Sequence, residues 1–397
     1  LVLERVAGAW ARQHGVTLTF ADDRPDVIAF EPADLGRLVA EDRIAPLPES
    51  VPASGLWASL ARPYRAALLR WGDTAYALPV HADATLLFIR ADVLQGGAVP
   101  SSFEELAALA ERVTSDKKSP ALTPMTDDDD RDREFFTVAA AFAVTPVTDT
   151  DGKSKKAAAG SLADKLGFHF DATTGRPRIA GPGFVAALRW LQKVQRLRGT
   201  VTFREGTPPL GFGTLRDLAT LRNRNESDRY IVAAPPPGPA GERIPYFGPG
   251  GLIGAVARNA SEPEAALALL KQLGDAETSL EVIHGTAFAS APFRPSHLSD
   301  RSEGWFNYGL DAAGTDRLRA ALAAVTEPRV INAPLRLRVR FQDKYRSILL
   351  DGVREALESS ADARKTLENV AAQWEAVDRR PEAERLAEYL RSLNLSR

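Results

Sequence analysis

Histidine, carboxylate and arginine groups are the residues of this chain that could do chemistry, and their spacing decides what kind. The five histidines, His14, His81, His169, His284 and His297, are scattered and never fall at ligand spacing for a metal. His284 precedes Gly285 at an expected helix end, where a cationic ring would favour the dipole; that is a structural role. The acidic run 127–130 could gather carboxylates around calcium, but a helix start that favours negative charge is the simpler account. Arg336, Arg338 and Arg340 alternate like one face of a strand or extended segment, which reads first as solvated side chains or domain-facing salt bridges and second as a site for a phosphate-like or carboxylate ligand. The glycine cluster Gly248-Pro249-Gly250-Gly251-Leu252-Ile253-Gly254 has a strand after it, whereas a dinucleotide loop must open a helix. A close backbone approach is expected there instead.

Catalytic signatures fail at their diagnostic points. There is no G-x-S-x-G elbow, no G-x-x-x-x-G-K-[ST] phosphate loop and no H-E-x-x-H helix. The absence of cysteine excludes disulfides, thiolate zinc sites, iron–sulfur clusters and a cysteine nucleophile. With 50 basic against 52 acidic side chains there is no global cationic field to hold nucleic acid or an anionic membrane. No apolar run approaches the ~20 residues that span a bilayer.

The elements that must position any site alternate between strand and helix in the first half and become helix-rich toward the end. A first helix through Leu3, Val6 and Trp10 stops at Gly15, and strands are expected at 16–20 and 26–30 (DVIAF). The second is nearly all apolar and suits a strand covered on both faces. A helix through Leu35 and Leu38, a helical stretch 56–70 broken by Pro63, and strands at 74–80 and 84–89 follow. Ser101 or Ser102 with Glu104 or Glu105 is a capping box for a helix burying Phe103, Leu106, Ala110 and Val113. The polar stretch 116–119 looks like a crossing between domains, and a strand at 121–125 leads into the acidic run and a helix over 134–144. A polar excursion at 145–165, helices at 183–197 and 213–222, a strand at 230–234, a stiff proline connector at 235–239, a strand at 252–257 and a helix capped by Ser261 come next. The closing helices present Leu367, Val370 and Trp374, then Leu386, Tyr389 and Leu390 after Pro381. At about 150 residues per domain, 397 residues suit two or three domains, and the element order means α/β with more than one sheet.

Three phrases carry a likeness to a known family. They are PDVIAF at 25–30 with the I-A-P-L turn at 44–47, then GDTAYALPVHADATLLFIRADVL at 72–94 with VPSSFEELAALAE at 99–111, then the glycine cluster with its S-E-P-E-A-A helix over 248–273. In this order and spacing they resemble the extracellular solute-binding proteins of ABC importers, in the group that includes maltose-binding protein. The resemblance implies a type II two-lobe periplasmic-binding-protein-like fold, each lobe a central sheet flanked by helices, with a ligand cleft between lobes. It implies a first lobe of residues 1–115 plus 249–325 and a second of 116–248 plus 326–397. One departure stands out: Ile89-Arg90 where the family often has Tyr-Asn. The resemblance also implies that upstream sequence has been removed, that the protein works in the periplasm or outside the cell with room for a membrane tether upstream, and that it is monomeric, without cofactor or metal.

A non-enzymatic receptor of this kind closes on a small solute, most simply a sugar, and delivers it to a membrane permease. Sugars want aromatic faces, carboxylates, amides and arginines. Loop positions just past expected strand ends offer Glu31, His81 and Asp83 from the first lobe, Thr126 and Asp127 where the second opens, and Phe212 in Gly-Phe-Gly. Tyr246, Phe247 and Gly250 lie at an expected crossing, and Trp305, with Phe306 and Tyr308, forms an aromatic group near Arg294. Two rivals use the same cleft: an anionic or other non-sugar solute, and glycosidase chemistry with paired carboxylates such as Glu31 and Asp83. A third is a receptor whose site has become a partner-binding surface.

Overall fold

A computed structural model describes residues 2–20, 24–147, 167–299 and 302–395. In chain order its elements begin with α1 (Val2–His14), β1 (Val27–Phe30), α2 (Leu35–Ala40), α3 (Gly55–Ala58), β2 (Arg70–Trp71), β3 (Thr74–Ala75) and β4 (Leu78–His81). They continue with β5 (Leu86–Arg90), α4 (Ala91–Leu94), α5 (Phe103–Lys117), α6 (Asp128–Ala143), α7 (Pro182–Gln195), β6 (Leu210–Gly213), α8 (Leu215–Asn223) and β7 (Tyr230–Ala233). The last are β8 (Leu252–Val256), α9 (Pro263–Leu273), α10 (Ala276–His284), α11 (Ala312–Thr326), α12 (Gln342–Ser359), α13 (Ala363–Val377) and α14 (Glu382–Ser392). The polar excursion expected at 145–165 lies largely outside the described residues.

Two three-stranded sheets organise two lobes. In the first, β8 lies between β1 and β4 and is antiparallel to both, with Ala29 opposite Gly254 and Leu78 opposite the same glycine. In the second, β5 lies between β6 and β7, again antiparallel to both. The β5 run Leu86-Leu87-Phe88-Ile89 is fully buried because both of its faces are covered. Leu86 and Phe88 join the first core cluster with Leu218, Tyr230 and Leu318; Leu87 and Ile89 join the second with Phe103, Leu188 and Trp374. Each such side chain contributes about 1.5–3 kcal/mol of burial.

Several local expectations change. Residues 16–19 form no strand; Val16 donates its N–H to Ala11 O, and Val16 and Leu18 pack beside Trp10 instead. Among the described residues the DVIAF strand pairs only with β8, so it is an edge strand there, with Ala29 exposed, rather than one covered on both faces. Pro63 does break the helical stretch, which resumes as a wide π-type turn over Tyr64–Leu68. Ser261 is not the cap of α9: the helix begins at Pro263, and Asp26 beside β1 accepts the N–H groups of Ser261 and Glu262 at 2.6 and 3.1 Å. The N–H of Glu262 and the Ser261 hydroxyl hold the Asp26 carboxyl below its usual range. Ser102 caps α5 by accepting from Glu105 N–H at 3.1 Å, while Glu105 reaches back to Ser101.

Helix α5 buries its apolar face in the second core cluster: Trp190 of α7 stands edge-on to Phe103 at 5.3 Å and donates Nε1–H to Phe103 O at 2.8 Å. The stretch 116–119 ends α5 and stays with that cluster's neighbourhood, since Ala121 and Leu122 are buried there too. The backbone instead passes from the first sheet to the second at residues 82–85, between β4 and β5. It returns at 234–251, between β7 and β8, and passes again at 327–341, between α11 and α12. The second and third crossings are bonded to each other, Phe247 N–H to Pro334 O at 2.9 Å and Arg336 N–H to Phe247 O at 2.8 Å.

Candidate functional site

Loops at the ends of the strands meet where the chain crosses. His81 comes from the end of β4 and Asp83 from the first crossing, which is pinned by Ala82, whose N–H reaches Ser290 Oγ at 3.0 Å and whose carbonyl accepts from Ala291 N–H at 2.9 Å. The acidic run is the start of α6, with Asp127 accepting the N–H of Asp130 at 2.9 Å. Asp130 in turn accepts from the Thr126 N–H and hydroxyl at 3.1 and 2.7 Å. Asp128 and Asp129 pair with Arg131 and Arg346, so a helix start with ion pairs accounts for the whole run. At the end of β6, Thr214 caps α8 in a capping box with Asp217, whose Oδ2 accepts the Thr214 N–H at 2.8 Å.

Between these loops lies a cleft cavity of about 380 Å³. His81, Asp83, Gly250 and Ala289 line it from the first-lobe side; Thr126, Asp127, Arg133, Phe212, Arg216 and Asp217 are among those that line it from the second. Arg133 of α6 lies 3.4 Å from Asp83 and 3.3 Å from Asp130, so its guanidinium spans the cleft. Gly250 has φ +103°, and a Cβ there would run into the Asp83 carboxylate, which is why the glycine turn can pass so close. Burial pushes the Asp83 carboxyl up against the pull of Arg133. Burial first, and the Arg216 guanidinium second, hold the His81 ring down at about 4, so it is neutral at pH 7. His81 is buried, and its Nδ1 has no hydrogen-bond partner among the described residues. The cavity thus presents carboxylates, guanidiniums and one neutral imidazole, with Phe212 offering an apolar face.

Six of the eleven residues singled out from sequence share this cavity: His81, Asp83, Thr126, Asp127, Phe212 and Gly250. Three others brace the junction beside it. Glu31 accepts the Gly250 N–H at 3.3 Å and is bonded to Arg336. Tyr246 donates its hydroxyl to Asp132 at 2.8 Å, and Phe247 meets the Tyr64 ring edge-on at 6.4 Å. Arg294 and Trp305 do not reach the cleft. Arg294 is fully buried and gives its N–H groups to Leu56 O, Ser59 Oγ and Gly274 O, the last at the end of α9. Trp305 is fully buried on Tyr308 and bonded to His297 O at 3.1 Å. The arginine row is not a row in space either: Arg336 pairs with Glu31, Arg338 is buried among the carbonyls of Ala67, Arg70 and Ser392, and only Arg340 is exposed. His284 lies against Trp305 at 5.3 Å, and burial lowers its pKa, so it does not serve the helix end as a cation. Arg90, where the family often has Asn, pairs with Asp92 at 2.7 Å and bonds Thr207 O at 2.9 Å.

Sequence reading missed Arg133, Arg216 and Asp217. The Thr214-x-x-Asp217 capping box was readable, and it places Arg216 on a first helical turn at a strand end. Arg133 had no comparable signal, because only the fold brings it to Asp83.

The sequence of residues 16–305, well over half of the chain, matches the family described as bacterial extracellular solute-binding protein. The chain belongs to that family. This solute-binding protein also has the two-lobe fold of solved relatives. It is similar to maltose-bound MalE3 of T. maritima at TM-score 0.69 and 18% identity, over 95% of this chain and 96% of that one. It is similar to the GacH receptor of Streptomyces glaucescens at 0.68 and 16%, over 94% of each. The sugar-binding protein MalE of Xanthomonas citri aligns at 0.72 and 15%, over 97% of this solute-binding protein and 95% of that chain. At such identities the likeness speaks for the fold. No curated protein sequence matches the chain. No helix among the described residues is long and apolar enough to cross a membrane.

Proposed function

We propose that this solute-binding protein is the receptor of an ABC importer, that its solute is a sugar or short oligosaccharide, and that it passes the solute unchanged to a membrane permease. The observation that carries this reading is the cavity at the strand ends, where hydrogen-bonding groups of both lobes converge. Vicinal hydroxyls pair well with carboxylates and guanidiniums, and Phe212 supplies an apolar face for C–H groups. Likeness to sugar-binding proteins of the same fold supports the carbohydrate assignment. Only contacts made to both lobes at once favour the shut state. We place the receptor in the periplasm or at the cell surface, as a monomer, and divide its lobes at 82–85, 234–251 and 327–341 rather than at residue 115.

Arg216 gives the sharpest test. It is exposed in the cleft, and its guanidinium has no hydrogen-bond or ion-pair partner among the described residues. Arg216→Ala is therefore expected to leave the melting temperature unchanged. It removes charged hydrogen bonds to the solute worth about 1.5–3 kcal/mol, a loss of roughly ten- to a hundredfold in affinity. Tryptophan fluorescence titration against a sugar panel, with native mass spectrometry of freshly purified protein to recover a retained solute, measures this. A panel without response, or a solute that returns cleaved, would count against the receptor reading.

A further inference from the structure

One direct ion pair and one two-step chain of ion pairs run from the first-lobe side to adjacent residues of one second-lobe helix. Glu31, in the loop after β1, is bonded to Arg336 of the third crossing, whose Nε stands 3.9 Å from Asp132 of α6. Asp83, in the first crossing, lies 3.4 Å from Arg133, the next residue of α6. Each helix residue is held from behind by its own lobe: Arg346 is 2.7 Å from Asp132, and Asp130 is 3.3 Å from Arg133. Successive residues of a helix point about 100° apart, so the two ties grip α6 at two azimuths and resist its rotation as well as its withdrawal. Asp132 is fully buried, and the Asp83, Arg133 and Arg336 side chains are 16%, 15% and 11% exposed, so salt screens them little; Glu31, 32% exposed, is screened more.

We propose that these two ties set the closure equilibrium of the solute-free protein, holding the lobes together through protein side chains alone. They differ in what a solute does to them. Asp83–Arg133 lies in the cavity, so an entering solute must offer oxygen acceptors that replace the Asp83 carboxylate on Arg133. Glu31–Arg336 lies outside the cavity and persists. The device lowers apparent affinity by the fraction of molecules already shut, and it excludes solutes that cannot match a carboxylate at Arg133. It rests on the reading that the lobes close on a solute.

The chain has no cysteine, so Ser50→Cys on the first lobe and Ser359→Cys on the second, both exposed, accept a unique pair of spin labels. Dipolar distances are then measured without sugar in this background and with Glu31→Gln or Asp83→Asn added. Each neutralisation is expected to raise the ratio of open to shut molecules at least about fivefold. Unchanged distances in both variants overturn the proposal, including the case where melting temperatures fall, since that marks a merely structural role. The same labels with the sugar panel separate the two readings. Sugar-driven closure with no effect of either variant removes the ties and keeps the receptor. Opening by the variants with no response to any sugar does the reverse.

Discussion

Acidification from pH 7 to about pH 5 is expected to remove a large part of the stability of this protein, before most of its carboxylates titrate. Three histidines are buried and neutral: His81 is held at about 4 by burial and Arg216, His169 at about 3 by burial, and His297 at about 3 by burial and then Arg294 and His284. In the unfolded chain each ring takes its proton near 6.5. Their folded pKa values are depressed, so the stability they allow is complete above 6.5 and declines as pH falls toward 4, while the unfolded chain binds protons that the folded chain refuses. Each ring then costs about 1.4 kcal/mol per pH unit, and three cost roughly 4, against a total of order 5–15 kcal/mol. Asp83 and Glu327, raised by burial, act in the opposite sense and soften the slope. Urea midpoints at pH 7, 6 and 5 measure it, and His169→Phe, which fills a site among Phe136, Phe168 and Trp374, should lower the slope by one proton. Equal midpoints at pH 7 and 5 would rule this out.

Asp132→Ala is the substitution expected to destabilise the junction most. Asp132 is fully buried and accepts from the Tyr246 hydroxyl at 2.8 Å and from Arg346 Nε at 2.7 Å. Its removal takes one of two carboxylates from Arg346 and from Arg336, which keep Asp129 and Glu31, and strands the buried Tyr246 phenol, a loss of about 2–4 kcal/mol. At roughly 2–4 °C per kcal/mol for a large domain, calorimetry should find the melting temperature about 10 °C lower. Asp132→Asn, which can still accept from Tyr246, should fall between. Asp128→Ala breaks only an exposed pair with Arg131 and should cost less than about 1 kcal/mol. A melting temperature for Asp132→Ala that matches Asp128→Ala would show that the buried carboxylate holds nothing.

Local features were legible where their cause is local. The apolar run of β5, the cap at Ser102, the helix start in the acidic run and the break at Pro63 follow from neighbours a few residues away, although α6 begins at Asp128 and not at 134. The strand expected at 16–20 was not legible, because its apolar side chains are buried by packing against α1 and not by a ladder. Trp305 and Arg294 looked like ligand groups because aromatic and cationic types suit sugars; Arg294 is held by Leu56 and Ser59 from a distant segment, and Trp305 packs on Tyr308 and bonds the His297 carbonyl, so burial and not residue type decides their role.

The amino-acid order alone determined the α/β character, the absence of thiol chemistry and of a global basic field, and, through its three phrases, the kinship with solute receptors. Tertiary structure decided which polar groups converge. Asp83 and Arg133 are 50 residues apart, and Glu31 and Arg336 are 305 apart. Periodicity and capping act over a few residues, whereas these meetings depend on where three crossings carry the chain between its sheets. The residues that line the cleft and those that tie its lobes are therefore fixed by the fold, while the sequence supplies the menu from which the fold selects.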